Sequence, residues 1–409
     1  MQVKLADLAA QNAEIREEVD AELVEVHRAT DYVGGARIEA FEQDFANFLG
    51  VRHVLSVASG TDALRLALIA QGIGPGDEVI TTPMTFIATV EAIVQAGARP
   101  VFVDVDPLSC NISPAALLCY LERARFNSAN GPKAILPVHL YGMPAAMVEI
   151  RQIAERFHLK VIEDACQAHG AYLQLGERRA AAGTLGDAGC FSFYPDKNLG
   201  GWGEGGAVAT DDDEIARRIL SLRDHGRISH YLHEECGYNA RLDVLQAVVL
   251  RAKLRRLGHW NVRRREHAAT YRELLAPCDV QLQYEAPDAA SCWHLFVMRS
   301  ERRDAIRNAL LMSKIECGIH YPVPLHLQPA CSKLGYHTGD FPVSEHIADT
   351  VLSLPLHPHL TNVQIVRVAE VVREALNAKP PAIAPNQPWT QYGAGRRSSK
   401  LSSESPGTP

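Results

Sequence analysis

The spacing of apolar residues changes along the chain and separates two kinds of element. Residues 14–30 and 38–49 carry apolar side chains at helical spacing, so each segment is predicted to form an amphipathic helix. Beyond them, short apolar runs alternate with further helical segments. The runs predicted to be strands are 53–57, 78–82, 100–104, 133–139, 160–164, 189–194 and 206–210. Such alternation indicates βαβ units, and therefore an α/β fold whose mainly parallel sheet has helices on both faces.

The C-terminal part of the chain follows a different pattern. Its predicted elements are a long helical region at 241–273, a strand at 295–299, and helices at 301–313 and 362–376. We therefore expect four segments. They are an N-terminal arm and helix at 1–35, a large cofactor-binding domain at 36–255, a smaller C-terminal α+β domain at 256–378, and a tail at 379–409. The tail has six prolines and several serines, a composition that predicts disorder.

Composition limits the classes of function. The formal net charge of −7 provides no basic footprint, so no nucleic-acid partner is expected. Nine cysteines are scattered without metal-ligand spacing, which predicts free thiols in a reducing cytoplasm and no bound metal. We find no signal peptide and no apolar run of the ~18 residues that a membrane helix needs. We therefore expect a cytoplasmic protein without a membrane partner.

One lysine has unusual surroundings. Lys197 follows a predicted strand that Pro195 ends, and it precedes five glycines within positions 200–206. Glycine allows the backbone to approach a ligand closely. Partial burial of a lysine at such a place favours the neutral amine, which is the nucleophile that a Schiff base requires. A surface lysine before a turn is the alternative.

Four other groups have positions that suit a ligand at the carboxyl ends of parallel strands. Residues 59–61, Ser-Gly-Thr, form a strand-to-helix turn whose N–H groups suit a phosphate, although an ordinary N-cap has the same pattern. Asp164 ends a strand and could hold the N–H of a pyridinium ring, or it could cap a following helix. Gln167 could bond a phenolate oxygen, and Ser192 could donate to a phosphate.

The order of phosphate turn, ring partner and lysine along a parallel sheet fits pyridoxal phosphate (PLP). Two common nucleotide-binding motifs are absent: the G-x-x-x-x-G-K-[ST] loop, and a G-x-G-x-x-G after the first strand. An aldolase that forms a Schiff base without PLP would need neither the phosphate turn nor Asp164.

Several longer motifs together resemble the DegT/DnrJ/EryC1/StrS family of PLP-dependent sugar aminotransferases. The resemblance extends from Val3 to Leu376. Its motifs are SGTDAL (59–64), GIGPGDEVI (72–80), PVHLYG (137–142), IEDA (162–165), FSFYP with KNLG (191–200), GYNARLD (237–243), HYPVPLH (320–326) and LSLP (352–355). The resemblance implies the type I fold of PLP-dependent transferases, with a seven-stranded, mainly parallel sheet flanked by helices. It also implies a homodimer with active sites at the dimer interface.

The resemblance further implies roles for individual residues. Lys197 would form the imine with PLP and move the proton, Asp164 would pair with the pyridine nitrogen, and Gln167 would contact the ring oxygen. Other cofactor contacts are assigned to Gly60, Thr61 and Ser192 at the phosphate, Phe86 stacked on the ring, and Asn239 reaching the phosphate of the neighbouring subunit. Substrate contacts are assigned to His169, Tyr194, His320 and Tyr321. The alternatives are a structural histidine at 169, a proline-stiffened connection at 320–326, and a helix cap at Asn239.

The chain departs from the family pattern beside the lysine, at Asp196, and within the glycine run, at Trp202 and Glu204. The family's dehydratases have a histidine in place of the lysine, so Lys197 favours transamination. The implied function is transfer of an amino group from L-glutamate to a nucleotide-linked keto sugar, with dTDP-linked 3-keto-6-deoxyhexoses as the nearest subgroup. A PLP-dependent sugar dehydratase and a non-catalytic regulatory or ligand-binding family member are the alternatives.

Overall fold

The centre of the fold is a β-sheet, seen in a computed structural model that describes residues 1–124 and 131–378. The strands in chain order are β1 (His53–Val57), β2 (Glu78–Thr81), β3 (Arg99–Phe102), β4 (Ala134–Ile135), β5 (Lys160–Asp164), β6 (Tyr172–Leu175), β7 (Arg178–Ala181), β8 (Ala188–Ser192), β9 (Gly206–Thr210), β10 (Arg227–Ser229), β11 (Leu232–His233), β12 (Gln281–Leu282), β13 (Ala289–Ala290), β14 (Phe296–Arg299) and β15 (Val351–Leu354). Seven of them form the main sheet, in the order β1-β9-β8-β5-β4-β2-β3.

The pairing in this sheet is mainly parallel, as the sequence predicts. β9 runs antiparallel to β1 and β8, and the other four neighbouring pairs are parallel. Each of the seven predicted runs overlaps one strand of the sheet. β4 is shorter than predicted, because Pro137 has no N–H to continue the ladder; pairing resumes only as a single bridge between Val138 and Asp164.

Helices surround the sheet. In chain order they are α1 (Leu8–Ala13), α2 (Arg16–Ala29), α3 (Ala36–Leu49), α4 (Gly60–Ala70), α5 (Ala88–Gln95), α6 (Pro114–Ala124), α7 (Met147–Phe157), α8 (Asp213–Leu222), α9 (Val244–Leu275), α10 (Arg303–Met312), α11 (Pro342–Thr350) and α12 (Asn362–Asn377). Within the described ranges, none of these helices is both long and apolar enough to cross a bilayer. The mainly parallel seven-stranded sheet with flanking helices agrees with the fold that the sequence predicts.

The topology brings three chain segments to one edge of the sheet. β5 and β8 are adjacent and parallel, with Asp164 paired to Cys190, so their carboxyl ends lie together. Helix α4 follows β1, and its apolar residues pack on β8 and β9 in one core cluster. The N-terminus of α4 therefore lies against the ends of the strands that carry Asp164 and Ser192.

Smaller sheets were harder to predict from the hydrophobic pattern. β6 and β7 form a hairpin across Gly176, which has a φ of 62°, and β13 pairs with β6. β12, β14 and β15 form a three-stranded antiparallel sheet, against which α10 and α12 build a separate core cluster. Residues Met1–Leu376 form one compact unit, and the division into arm, large domain and small domain stays a prediction. The predicted tail at 379–409 lies outside the described residues.

Candidate active site

The carboxyl ends of β5 and β8 open onto a cavity of about 490 Å³. Ten of the twelve residues assigned to the site from the sequence line it. They are Gly60, Thr61, Phe86, Asp164, Gln167, Ser192, Tyr194, Lys197, His320 and Tyr321. The other two, His169 and Asn239, are outside the lining in the described part of the chain.

The N-terminus of α4 forms one end of the cavity. Ser59 caps the helix by accepting the N–H of Asp62 at 3.0 Å, which leaves the N–H groups of Gly60 and Thr61 without an intrahelical partner. A Cβ on Gly60 would lie only 2.6 Å from the Cβ of Ser192, so helix and strand meet here without room for a side chain. The helix dipole, the N–H groups and the Ser192 hydroxyl together form a cradle that suits a phosphate. Ser59 is thus an N-cap. Its cap bond uses only the N–H of Asp62, so the N–H groups of Gly60 and Thr61 remain available to a phosphate.

Asp164 is buried where β5 ends. Its Oδ2 accepts a 2.8 Å hydrogen bond from Thr89 Oγ1, and its Oδ1 accepts a 3.2 Å bond from the N–H of Cys166. The chain continues from β5 through turns into β6, so Asp164 does not cap a following helix. A carboxylate has about four acceptor positions, so these two bonds leave capacity for a further donor in the cavity.

Lys197 is half-buried on the turn after β8, and its backbone N–H bonds to the carbonyl of Tyr194 at 2.9 Å. The following residue anchors this turn. The buried Asn198 side chain donates to Asn261 Oδ1 at 3.0 Å and to the carbonyl of Cys292 at 2.9 Å. The lysine is therefore carried by a segment that is tied to α9 and to the loop before β14.

Two histidines beside Lys197 are held neutral. Burial, reinforced by the charge of Lys197, lowers the pKa of His320 to about 4 and lowers the pKa of His294 well below its ordinary value. His320 Nδ1 lies 2.8 Å from Ser353 Oγ, so Nε2 is free of that bond. A neutral imidazole donates at one nitrogen and accepts at the other, which suits contact with an uncharged polar group.

Gln167, Tyr321 and Phe86 form one wall of the cavity. Gln167 Nε2 donates to the Tyr321 hydroxyl at 3.1 Å, and its Oε1 accepts the N–H of Tyr141 at 2.7 Å. The rings of Phe86 and Tyr321 are 5.9 Å apart, and Phe86 is 54% exposed. Burial raises the pKa of Tyr321, so its hydroxyl keeps its proton. Phe86 therefore offers a free aromatic face beside a fixed amide and phenol. Tyr194, at the mouth of the cavity, is 49% exposed.

His169 lies in the core behind β8. The side chain is fully buried, and its ring centroid is 5.5 Å from that of Phe191. Burial and the charge of Lys197 lower its pKa to about 3. This environment favours a structural histidine over a contact with substrate.

Asn239 lies on the surface, in the segment before α9. Its Oδ1 accepts a 2.9 Å hydrogen bond from Arg241, and its backbone forms an isolated bridge with Asp224. The N-cap of α9 is Asp243, so Asn239 does not cap that helix. The side chain is exposed, as a residue that serves a neighbouring subunit would have to be.

Sequence reasoning missed several groups at the site. Thr89, which donates to Asp164, is hidden within α5, and His294 belongs to a loop without a motif. Arg264 also lines the cavity, although α9 is rich in exposed arginines. Its spacing was a usable signal, since it follows the buried Trp260 by four residues and precedes the buried Tyr271 by seven.

The residues present fit PLP. A phosphate cradle, a buried carboxylate, an amine and an aromatic face share one cavity. Because Gly60 has no side chain, the helix can lie close to Ser192 without a Cβ filling the cradle. These are the groups that bind a phosphorylated pyridine aldehyde: N–H donors for the phosphate, a carboxylate for the ring nitrogen and an amine for the aldehyde.

Comparison with known proteins gives the same result. The model of the DegT/DnrJ/EryC1/StrS aminotransferase family matches residues 13–373. A dTDP-3-amino-3,4,6-trideoxy-alpha-D-glucose transaminase of Streptomyces venezuelae is 44% identical, over 91% of this chain and 96% of its own length. A UDP-N-acetyl-3-dehydro-alpha-D-glucosamine 3-aminotransferase of Acidithiobacillus ferrooxidans is 42% identical, over 92% of this chain and 98% of its own.

A solved structure is similar over the same span. The crystal structure of S. venezuelae DesV in complex with a ketimine intermediate has a TM-score of 0.87 and 42% sequence identity, and the match covers 93% of this chain and 100% of that one. Fold, cavity and sequence similarity therefore agree over nearly the whole length. The chain belongs to the DegT/DnrJ/EryC1/StrS aminotransferase family, and it is a PLP-dependent aminotransferase.

Proposed function

We propose that this aminotransferase moves the amino group of L-glutamate to a keto sugar carried on a nucleoside diphosphate, giving an amino sugar. The observation that supports this proposal most directly is that Lys197, Asp164 and the N-terminus of α4 line the same cavity. An amine, a buried carboxylate and a phosphate cradle are the parts that transamination on PLP requires.

The names of relatives support the substrate class. The S. venezuelae relative is named for a dTDP-linked 3-amino sugar, and the A. ferrooxidans relative for a UDP-linked sugar with a 3-dehydro group. Carbon 3 is common to both names, whereas the nucleotide differs. We propose a 3-keto sugar as the acceptor, with a dTDP-linked 6-deoxyhexose as the first candidate.

The proposed chemistry assigns a proton to each of two side chains. PLP, when bound, supplies the conjugated ring that takes up the electron pair of a deprotonated carbon. Asp164 holds a proton on the ring nitrogen and so keeps the ring electron-poor. The free amine of Lys197 removes the proton from Cα of the donor, and in the sugar half-reaction it returns a proton to the sugar carbon. The neutral His320 and the Tyr321 hydroxyl line the same cavity and are proposed to contact the sugar.

The proposal includes a homodimer in which each site is completed by the neighbouring subunit. Asn239 is exposed and lies outside the cavity lining of its own chain. Its amide nitrogen is free to donate, because the bond with Arg241 uses only Oδ1. We propose that this nitrogen reaches the cofactor phosphate of the partner subunit.

The function can be tested with L-glutamate labelled with ¹⁵N and a panel of dTDP- and UDP-linked keto sugars, read by mass spectrometry. The expected product is an amino sugar that carries the label. Lys197→Ala should abolish the transfer, whereas Lys160→Ala, which removes an exposed lysine at the far end of β5, should leave it unchanged. Loss of water from the sugar without uptake of ¹⁵N would instead establish a dehydratase. Absence of labelled product from every sugar would refute the proposal.

A further inference from the structure

An arginine that the chemistry above does not use lines the same cavity. Arg264 lies on α9 and is 5% exposed. One of its terminal nitrogens, Nη1, donates to three backbone carbonyls, at 3.1 Å to Trp293, 3.4 Å to His294 and 2.8 Å to Leu356. Within the described residues, no hydrogen bond joins Nε or Nη2 to another group, and the residue lines the cavity.

The charge of this guanidinium is not balanced by a salt bridge. In the part of the chain that the structure describes, no carboxylate pairs with Arg264; Asp196 is the acidic side chain close enough for its charge to act on it. Burial lowers the pKa of Arg264 to about 10, so the group is still cationic at neutral pH. Buried charges are normally paired as well as hydrogen-bonded, and the carbonyl bonds of Nη1 leave this charge without a counter-ion. An anionic ligand in the cavity could supply one.

The position of Arg264 limits which anion this is. Arg264, Asp196 and Lys197 line not only the main cavity but also a small recess that adjoins it. The phosphate cradle is built from other residues, at the N-terminus of α4. A ligand group near the lysine must be attached close to the reacting carbon. In an amino acid donor, that group is a carboxylate, and a guanidinium binds a carboxylate through two parallel hydrogen bonds.

We propose that Arg264 binds a carboxylate of the amino donor through Nε and Nη2, and that Asp196 competes with the donor for the same guanidinium. Competition between Asp196 and the donor for Arg264 has a physical reason. The same cavity must accept an anionic amino acid in one half-reaction and an uncharged sugar ring in the other. Asp196, close to Arg264, offsets its charge when the donor is absent. The departure from the family pattern at Asp196 thereby gains a role. The carboxylate assignment rests on the proposed amino acid donor.

The test measures the binding of glutarate, a dicarboxylate without an amino group, to the PLP-loaded enzyme by titration calorimetry. Arg264→Gln should raise the Kd for glutarate about 30-fold or more, which corresponds to the 2 kcal/mol at the lower end for breaking a buried charge pair. Asp196→Asn should lower the Kd, and this gain should be lost when Arg264 is also replaced by Gln, because competition for the guanidinium requires both residues. A gain that persists in the double variant would reflect only the lost negative charge. Arg272→Gln is the matched control on the same helix, because Arg272 also donates to a backbone carbonyl, that of Gln283, but lies outside the cavity lining.

Two further measurements separate the possible failures. If Arg264→Gln does not fold, the binding of glutarate is measured with Arg264→Lys and with Asp196→Asn instead. Arg264→Lys keeps the positive charge but cannot form two parallel hydrogen bonds with a carboxylate. The donor half-reaction with L-glutamine and with L-isoglutamine, each lacking one carboxylate of glutamate, identifies the carboxylate bound. The donor without that carboxylate should be insensitive to Arg264→Gln.

The outcomes that overturn the inference are distinct from failure of the proposed function. Glutarate that binds equally well to the Arg264 variants, or not at all to the unmodified enzyme, overturns the assignment even where glutamate is a good donor. Arg264-dependent binding of glutarate by an enzyme that does not accept glutamate keeps the assignment and refutes the proposed donor.

Discussion

Thr89 Oγ1 donates a 2.8 Å hydrogen bond to Oδ2 of Asp164, and both side chains are buried. The Thr89 Oγ1 in turn lies 2.9 Å from the hydroxyl of Thr85, four residues earlier in the bend that precedes α5. Since Thr89 gives its proton to the carboxylate, Thr85 must donate to Thr89. The two hydroxyls form a chain that fixes the orientation of the carboxylate proposed to face the ring nitrogen.

We therefore predict that Thr89→Val lowers kcat by roughly 10- to 100-fold, the equivalent of a hydrogen bond to a charged group at 1.5–3 kcal/mol. PLP should still bind, because Lys197 and the phosphate cradle are untouched. The visible absorption of bound PLP should shift, since its ring nitrogen loses a fixed partner. Steady-state kinetics and absorbance spectra of the purified enzyme measure both effects.

Thr85→Val is the matched control, since Thr85 reaches Asp164 only through Thr89. Its effect on kcat should be much smaller, and its spectrum should resemble that of the unmodified enzyme. Equal losses in the two variants would mean that the threonines matter only for packing.

The strand ends at the active site were predictable because two simple rules combine there. Asp164 ends one predicted apolar run and Ser192 lies near the end of another, and the carboxyl ends of parallel strands share one edge of a sheet. Gly60 and Thr61 follow β1 and begin the next helix, so the phosphate end of the cavity also followed from local pattern. Chain order therefore brought the phosphate turn, Asp164 and Lys197 together, whereas Phe86, His320 and Tyr321 were assigned through the family resemblance.

Arg264, Thr89 and His294 could not be found in the same way. Arg264 and Thr89 belong to helices, and His294 belongs to a loop. For each residue, the role depends on whether its side chain faces the cavity, which the sequence pattern does not determine. For Arg264, the neighbouring Arg263 and Arg265 have the same chemistry, and only the packing of α9 against the loop before β14 decides which one is buried. The hairpin of β6 and β7 was missed because its second strand begins with two exposed arginines, Arg178 and Arg179, which hide the alternation of a strand.

Gly60 offers a test of the phosphate cradle. In Gly60→Ala, the new Cβ would lie 2.6 Å from the Cβ of Ser192 and 3.1 Å from Cys166 Sγ, so helix and strand must separate. We predict that the Kd for PLP rises about 10-fold or more, in line with the 1–3 kcal/mol cost of overpacking. Fluorescence titration of the apoenzyme with PLP measures the change.

Gly258→Ala is the control for the glycine substitution itself. Gly258 lies inside α9, and a Cβ there meets no atom within 4 Å. Alanine should therefore leave the affinity for PLP unchanged and stabilise the helix by up to about 1 kcal/mol. An unchanged Kd in both variants would show that the approach of α4 to β8 is not part of the cofactor site.

Lys253 is a buried amine outside the active site, and it predicts a dependence of stability on pH. The side chain is 1% exposed, its Nζ donates to Gln11 Oε1 at 3.2 Å, and burial lowers its pKa from 10.5 to about 8. Between these values, the unfolded chain binds more protons than the folded one, so this group makes stability rise with pH. Below about pH 8, the full cost of burying the charge is present.

Lys253→Met removes this cost and keeps a similar side-chain shape. We predict a higher Tm at pH 7, by the equivalent of about 2 kcal/mol, because the shift corresponds to about 3 kcal/mol and the Gln11 oxygen loses its partner. The gain should disappear by about pH 10.5. Lys160→Met, at an exposed lysine, should change little at either pH. A gain that is independent of pH would contradict the electrostatic origin.

The composite site proposed for Asn239 can be tested by mixing subunits. Lys197→Ala and Asn239→Ala homodimers should each be weakly active or inactive. In a dimer that contains one chain of each kind, a shared site design puts both lesions in one site and leaves the other intact. Random reassembly of equal amounts should therefore restore roughly a quarter of all sites, as expected for a two-fold symmetric dimer.

The result is decisive because the two arrangements predict different totals. If Asn239 serves the site of its own chain, each site in the mixed dimer carries one lesion, and mixing restores nothing above the average of the two homodimers. The control is reassembly of Lys197→Ala with itself, which should show no gain. Asn239 is exposed and lies four residues before Asp243, the N-cap position of α9, so the substitution removes a surface amide outside the helix end. Restored activity would then report on the amide at the partner's phosphate and not on a repaired fold.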